Sequence, residues 1–390
     1  MLPKDIAFVY GSQAGIGGLG IQAANAACGL SSTGESVHAF GPGHINRWPL
    51  SVQTKNIRWS GFPQHHNGTK RFNWRRWFHG RLQLERDSHL GKWAADEIRR
   101  LRPTHCYAFT QVALETLQWA KTTGVPSILE SPNGHIRNFR EVYKTESASW
   151  CGSQFRGHPS PRMVERVERE YELADRIRVS SQWAKQSLIN GGVPANKISV
   201  VQQPVDLETF SPAMISGKAE GPLRLCLVGS LDLRKGFVYL LRAMRLIGPK
   251  YVSLEIVGAT GTRCCANLFK EESRGLQTTV SVGNPIPAYR RAELFVLPTL
   301  EDGSPFAVAE AMACGLPAVV TTSCGSSEWV RAGESGWLVP PREPEAIANV
   351  LEIALAHRHI LESMGQQARR DTEARAGAVC FPALAEWVTG

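Results

Sequence analysis

The chain has 390 residues, 43% of them hydrophobic and 20% charged, with a net charge of +9 at pH 7. That length exceeds one hydrophobic core, and the composition excludes collagen-like, low-complexity and disulfide-scaffold proteins. No run approaches the ~18 uninterrupted apolar residues of a membrane span, so two globular domains with an anionic partner (nucleotide, nucleic acid or acidic lipid) are expected. The nine cysteines are scattered without a C-x-x-C pair, and they read as reduced, partly buried thiols, the adjacent Cys264 and Cys265 included. The start lacks a charged-then-apolar leader, which makes a cytoplasmic protein the expectation.

In chain order, Ile6–Tyr10 suits a buried parallel strand. It leads into the glycine loop GSQAGIGGLG, a small-residue helix over Ile21–Leu30, and a strand at Val37–Phe40. Strand, glycine loop, helix and strand make a Rossmann-like βαβ unit. Gly15, Gly17 and Gly20 satisfy G-x-G-x-x-G, but no acid follows the second strand near Phe40–Asn46 to hold a ribose diol. The loop therefore reads as one that lets a backbone approach an anion or sugar closely, and nicotinamide-dependent redox chemistry is disfavoured. Lys70–Arg102 carries ten Lys or Arg against four acids. With Trp74, Trp77 and Phe78 it suits either an anionic membrane interface or stacking on single-stranded nucleic acid, and a solvated helix with inward aromatics suits it equally. His105–Thr110 and Ser127–Glu130 are further strands, and the loop after the second carries His135, read as a ligand-facing or a surface histidine. A helix at Met163–Leu173, strands at Arg176–Ser180 and Lys197–Val201, and a helix at Ser181–Ile189 complete this half.

The proline-bounded segment QQPVDLETFSPA marks the domain boundary near Pro204. A second alternating series follows, with strands at Arg224–Val228, Leu254–Val257, Thr279–Val282 and Leu294–Leu297. Helices are expected at Phe237–Leu246, Glu343–Leu361 and near Trp387. The stretch LPTLEDGSPFAVAEAMACGLPAVVTT holds a strand end, an acidic turn, a helix and the strand Ala318–Thr321. Ser304 is expected to cap that helix with Pro305 at its first position, and Gly315 to end it in a left-handed turn. Its helix is small and apolar except for Glu310, which makes that carboxylate the group needing an explanation.

The candidate chemistry follows from residue type and spacing. Arg234 and Lys235, just ahead of a helix, can neutralise a diphosphate together with the helix N–H groups. The helix start at Gly303, Ser304, Pro305 and Phe306 offers free N–H groups at a strand's carboxyl end. Asp302 and Glu310 are spaced to hold hydroxyls at opposite ends of one ligand. No D-x-D pair is present to clamp a divalent metal.

These stretches resemble retaining glycosyltransferases of family 4. VQQPVDLETFSP is similar to their interdomain linker, VGSLDLRKGFVYLLRA to their phosphate loop and helix, and EDGSPFAVAEAMACGLPAVVTT to their E-x7-E element. GESGWLVPPREPEAIA, GIGGLGIQAANA and VSSQWAKQSLINGGVPANKISVV are similar as well. The resemblance implies the GT-B fold: α/β, two Rossmann-like domains facing across a cleft. It implies an acceptor-side domain over 1–203, a donor domain over 204–374, and a C-terminal helix over 375–390 packed back on the first domain. It implies sugar transfer from a nucleotide-sugar to a saccharide or glycolipid hydroxyl, with neither metal nor cofactor and no nucleic acid partner. The site would lie in the cytoplasm, peripherally at the inner face of an anionic membrane. Lys235 falls on the diphosphate lysine, Glu310 on the ribose acid, and Asp302 (with Glu301 adjacent) on the acid by the donor sugar. His135 falls on the histidine beside the reacting sugar, and Gly17 and Gly18 on the acceptor-side glycine loop. Ser230 stands where the family usually has arginine, with Arg234 able to supply that charge, and the segment GNPIPAYRRAELFVLP is shorter than usual. A nucleotide-sugar epimerase and a non-catalytic sugar- or lipid-binding protein of the same fold are the alternatives.

Overall fold

The structure, a computed structural model, describes residues 4–14, 17–43, 56–62, 80–152, 157–212, 221–373 and 384–388. The aromatic–basic stretch of Trp74, Trp77 and Phe78 and the loop residue Gly15 lie outside the described residues. The chain divides into two compact units, with the main crossing between Pro204 and Val205. The described part of Glu141–Phe155 belongs to the second unit, and residues 384–388 belong to the first.

The first unit is built on seven parallel strands: β1 (Asp5–Val9), β2 (Ser36–Gly41), β3 (Ile57–Gly61), β4 (His105–Phe109), β5 (Ser127–Glu130), β6 (Arg176–Val179) and β7 (Ile198–Val200), in the order β3-β2-β1-β4-β5-β6-β7. Its helices are α1 (Gly17–Ser32), α2 (Gly80–Leu101), α3 (Leu114–Thr123), the first turn of α4 (Ile136–Trp150), α5 (Pro161–Leu173) and α6 (Gln182–Asn190). The strands read as near-continuous apolar runs because both faces of a parallel sheet are covered; Ile6, Ala7, Phe8 and Val9 are all buried. Ser160 and Ser181 cap α5 and α6 by accepting the backbone N–H groups of Met163 and Ala184. Leu384, Ala385 and Val388 are part of this core, and the Arg176 guanidinium lies 4.1 Å from the centre of the Trp387 ring.

The second unit has six parallel strands: β8 (Leu223–Val228), β9 (Val252–Val257), β10 (Gln277–Ser281), β11 (Leu294–Leu297), β12 (Ala318–Thr321) and β13 (Gly336–Val339), in the order β10-β9-β8-β11-β12-β13. Its helices are α7 (Phe237–Ile247), α8 (Arg263–Glu272), α9 (Ile286–Arg291), α10 (Phe306–Ala313), α11 (Pro344–Ala356) and α12 (Ile360–Glu373). In each sheet the winding reverses once, between β1 and β4 and between β8 and β11, and these are the places where loops part to admit a ligand.

Three expectations are corrected. The helix expected over Glu343–Leu361 is two, because the turn closed by Ile360 N–H on the His357 carbonyl sends α11 along α7 and α12 along α10. Helix α10 begins at Phe306 with Pro305 in the extended cap position and without a side-chain cap, so Ser304 does not cap it. Gly315 does end it in a left-handed turn, at φ +80°. Finally, Cys151 and Cys264 form a disulfide rather than remaining thiols, whereas Cys28, Cys106, Cys226, Cys265, Cys314 and Cys324 are free and buried.

That disulfide secures the later part of α4 within the second unit, where polar contacts accompany it. Glu146 accepts the Tyr239 hydroxyl at 2.8 Å and the Arg342 guanidinium at 2.7 Å, and the Arg242 guanidinium lies 4.3 Å from the centre of the Trp150 ring. The cross-link spans 113 residues. Cys264→Ser is expected to lower stability by about 2–4 kcal/mol in denaturant titrations, and non-reducing peptide mapping should recover Cys151 linked to Cys264.

Candidate active site

At the reversal point of the second sheet, the loop after β8 meets the loop after β11. Asp232 opens a tight turn: its Oδ1 accepts the backbone N–H of Arg234 at 2.9 Å and the Tyr143 hydroxyl at 2.7 Å. The turn presents two consecutive cations to the second loop. Lys235 Nζ lies 2.6 Å from Asp302 Oδ2; Arg234 Nη1 donates to the same oxygen at 3.0 Å and lies 3.3 Å from Glu301 Oε2. Main-chain bonds fix the loops to each other, with Leu300 N–H on the Arg234 carbonyl at 2.8 Å and the Thr299 hydroxyl on that carbonyl at 3.0 Å. Burial would raise the Asp302 carboxyl, but Lys235 and Arg234 outweigh it and hold the group below the usual carboxylate range. Burial likewise opposes the Arg234 charge, and Asp302 and Glu301 more than restore it.

The structure thus brings Arg234, Lys235, Glu301 and Asp302 into one cluster. In the acidic turn, Glu301 is fully buried and held by Arg234, while Asp302 is the acid that both cations share. Gly303 and Pro305 are buried and Ser304 and Phe306 half-buried at the start of α10, where the Ser326 hydroxyl donates to the Pro305 carbonyl at 3.2 Å. One helical turn on, Glu310 is half-buried, and its Oε2 accepts the Tyr289 hydroxyl at 2.9 Å. Burial pushes the Glu310 carboxyl up to about 7 despite that bond. Among the described residues, no group of three or more His, Cys, Asp or Glu could hold a metal ion.

In the first unit, a pocket of about 330 Å³ opens at the reversal point between β1 and β4. Tyr10, Gly11 and Ser12 leave the end of β1, Phe109–Val112 leaves the end of β4, and Pro132 and Asn133 come from the loop after β5. Helix α2 contributes Gln83, Arg86 and Asp87. Gln111 sits at φ +79°, a left-handed conformation that a residue with a side chain rarely adopts. Its N–H donates to Glu170 Oε2 at 2.7 Å, its carbonyl accepts Arg166 Nε at 2.7 Å, and its side-chain oxygen accepts the Gln83 amide at 2.9 Å. Glu170 Oε1 also takes the N–H groups of Ala113 and Leu114, so one buried carboxylate holds the whole turn.

His135 belongs to this unit and is not a surface residue: it is 3% exposed, against Tyr171 and Gly191. Its Nδ1 accepts the Arg137 N–H at 3.3 Å, and burial lowers its pKa. Gly17 and Gly18 begin α1, and a Cβ at Gly18 would meet nothing within 4 Å, so packing within the protein does not demand glycine there. Sequence reasoning missed Tyr143, Tyr289, Gln111 and Glu170, whose partners Asp232, Glu310 and each other lie 21 to 89 residues away, and Asp87, which pairs with its neighbour Arg86. Asp232 carried a signal: an Asp two residues before Arg234 is an Asx-turn pattern.

Residues 222–357 match the family described as Glycosyl transferases group 1, and the chain carries that domain. A putative colanic acid biosynthesis glycosyltransferase, WcaL, of Salmonella typhimurium is 30% identical over 209 residues, covering 50% of this chain and 50% of that protein. The D-inositol 3-phosphate glycosyltransferase of Thermobifida fusca is 29% identical over 233 residues, covering 53% and 54%. The chain spans about half the length of the curated relatives it matches. Among solved structures, sucrose-phosphate synthase from Thermosynechococcus elongatus superposes with a TM-score of 0.76 at 18% identity, covering 98% of each chain. Anabaena HepE in complex with UDP and glucose superposes at 0.70 with 14% identity, covering 100% of each. The two parallel-sheet α/β units thus have the GT-B fold.

Gly236 makes the turn behind Lys235 possible. It lies at φ +67°, and a Cβ there would stand 2.0 Å from the Pro298 carbonyl oxygen. Gly236→Ala is expected to cost at least about 1–2 kcal/mol from the left-handed backbone alone, read as a lowered Tm.

Proposed function

We propose that the protein is a glycosyltransferase that moves a sugar from a nucleotide-sugar to a hydroxyl of a saccharide or glycolipid acceptor, with retention at the anomeric carbon. The observation that carries this reading is the cluster of Arg234, Lys235 and Asp302 at the reversal point of the second sheet, beside the start of α10 and one turn from Glu310. In this reading the donor diphosphate lies against Lys235, Arg234 and the N–H groups at Ser304–Phe306. Glu310 accepts the ribose hydroxyls, and Asp302 faces the donor sugar. The complex of HepE with UDP-glucose and the UDP-galactose-using galactosyltransferase of Escherichia coli, 27% identical over 194 residues, support a nucleoside diphosphate donor. The acceptor is assigned to the pocket of the first unit, and Gly17 and Gly18 to the backbone it approaches. The biosynthetic relatives WcaL and amylovoran AmsK support a role in polysaccharide assembly.

The chemistry asks little of a general base. As the glycosidic bond to the diphosphate breaks, the anomeric carbon takes on oxocarbenium character and negative charge gathers on the leaving oxygen. The acceptor hydroxyl attacks from the face the diphosphate is leaving and gives its proton to that oxygen. Fixed cations aimed at the developing charge are then the main source of acceleration. The net charge of +9 fits work beside an anionic membrane surface; among the described residues no helix is long and apolar enough to cross one.

Lys235→Ala is expected to lower turnover by roughly 10²–10³-fold with little change in Tm, since Arg234 still neutralises Asp302; near-normal turnover would overturn the assignment. Glu310 predicts a pH dependence. Its unliganded carboxyl titrates at about 7, and the ribose hydroxyls favour the charged form. The donor Kd should therefore fall by up to roughly tenfold per pH unit as pH rises toward 7, then level off. Calorimetry on Glu310→Gln should show a flat profile; an unchanged slope would count against Glu310.

A further inference from the structure

Helix α10 carries a single acid, Glu310, among the buried Val308, Ala309, Ala311 and Met312. Its Oε2 accepts the Tyr289 hydroxyl at 2.9 Å, and no other protein group among the described residues donates to the carboxyl. Glu310 is half-buried, so acceptor positions on the carboxyl remain within reach of a ligand. Tyr289 is set deeper, at 1% exposed, and acts only through Glu310. It comes from the six-residue α9, and its ring packs edge-on against Phe295 and Phe210, with ring centres 5.9 and 6.2 Å away. That packing fixes where the hydroxyl lies. It points at Glu310, with the Ala307 carbonyl at 3.3 Å as its second acceptor.

A carboxylate in an apolar helix is costly to charge, which is why burial raises Glu310. The Tyr289 bond works against burial, because a donated proton favours the ionised form. Other titratable groups near the pair do not compete. Cys226 on β8 and Cys314 after α10 face it, but burial pushes both thiols up to about 12, so they stay uncharged. Arg290 and Arg369 lie near Cys314 and are engaged elsewhere, Arg290 with the Ser211 hydroxyl and Arg369 with the carbonyls of Phe210 and Ala313. A neutral donor suits a carboxylate that has to bind hydroxyls. A cation would neutralise it, as Arg234 and Lys235 do for Asp302, whereas tyrosine takes one acceptor position and leaves the charge in place.

We propose that Tyr289 is the positioning residue of the ribose carboxylate: its hydroxyl, placed by the packing of α9, fixes Glu310 so that the free side of the carboxyl takes the vicinal diol of a ribonucleoside diphosphate. The assignment of that diol to the donor rests on the transferase reading; the geometry of Tyr289 and Glu310 does not.

The test is calorimetry from acid to alkaline pH, with UDP and 2′,3′-dideoxy-UDP titrated into the wild-type protein and Tyr289→Phe. Phenylalanine keeps the ring and removes only the hydroxyl. The pH at which UDP affinity levels off should rise by about one unit, leaving binding roughly tenfold weaker on the acid side and equal to wild type at high pH. A purely structural tyrosine would instead weaken binding alike at every pH. Dideoxy-UDP should bind more weakly and should not distinguish the two proteins. An unchanged UDP profile, a loss uniform across pH, or the same response from dideoxy-UDP would each overturn the proposal. Should Tyr289→Phe fail to fold, carbon NMR of the wild type decides: the Tyr289 Cζ resonance is expected to titrate together with the Glu310 carboxyl, and a flat one overturns the role. A wild type that binds no UDP while Tyr289 titrates with Glu310 would sink the donor reading and the diol with it. UDP binding with a flat Tyr289 would sink the positioning role alone.

Discussion

A parallel sheet must carry the chain back over one of its faces between strands, and where the direction of winding reverses, two neighbouring loops are drawn apart. Both candidate sites are consequences of that constraint. In the second unit the parted loops follow β8 and β11, and they bring Lys235 to Asp302 although 67 residues separate them. In the first unit they follow β1 and β4, and the gap between them is the pocket lined by Tyr10, Gly11 and Phe109–Val112. Neither site is assembled by local sequence; each is assembled by the strand order.

The two sites solve the problem of buried charge differently. Around Lys235 the charges are compensated internally, two cations against Glu301 and Asp302. In the proposed reading, a diphosphate arriving there would compete with Asp302 for Lys235 instead of finding an unpaired cation. The internal pairing keeps the cluster stable by itself, since an unpaired buried charge is strongly destabilising. In the first unit the compensation is a single pair, Asp87 with its neighbour Arg86.

How much of this was legible in the sequence depends on the range of the interaction. Strands β1, β8, β11 and β12 announced themselves as apolar runs because burial on both faces is a local compositional demand. Gly315 announced the end of α10 because a left-handed backbone is a local demand as well. Lys235, Asp302 and Glu310 stood out through their spacing around a loop and a helix start. Glu170 did not: its three N–H donors are more than fifty residues away, and nothing in EREYEL distinguishes it from a solvated helical acid. Cys151 and Cys264 gave no spacing signal, since their pairing depends on where α4 ends relative to α8. Tyr289 lies in a short helix whose sequence looks like a loop. Pro305 shows the limit even for local signals: a proline after serine suits both the first helical position and the cap, and the folded loop has it at the cap.

The membership of the two units carries a consequence for the order of folding. The second sheet is flanked by a helix end that the ribosome delivers long before it, the part of α4 bearing Tyr143 and Glu146, with Cys151 just after it. The first sheet has in its core Leu384, Ala385 and Val388, which emerge after all thirteen strands have been made. Each unit therefore waits for chain supplied from the far side of the other. Contacts such as Glu146 with Arg342, 196 residues apart, close large loops and come late in folding. A cut at Pro204 would not separate two self-sufficient halves. Each would keep its sheet and lose a piece of its core or its clasp, so the chain matures as a whole and exposes unfinished apolar surface until its last turns are in place.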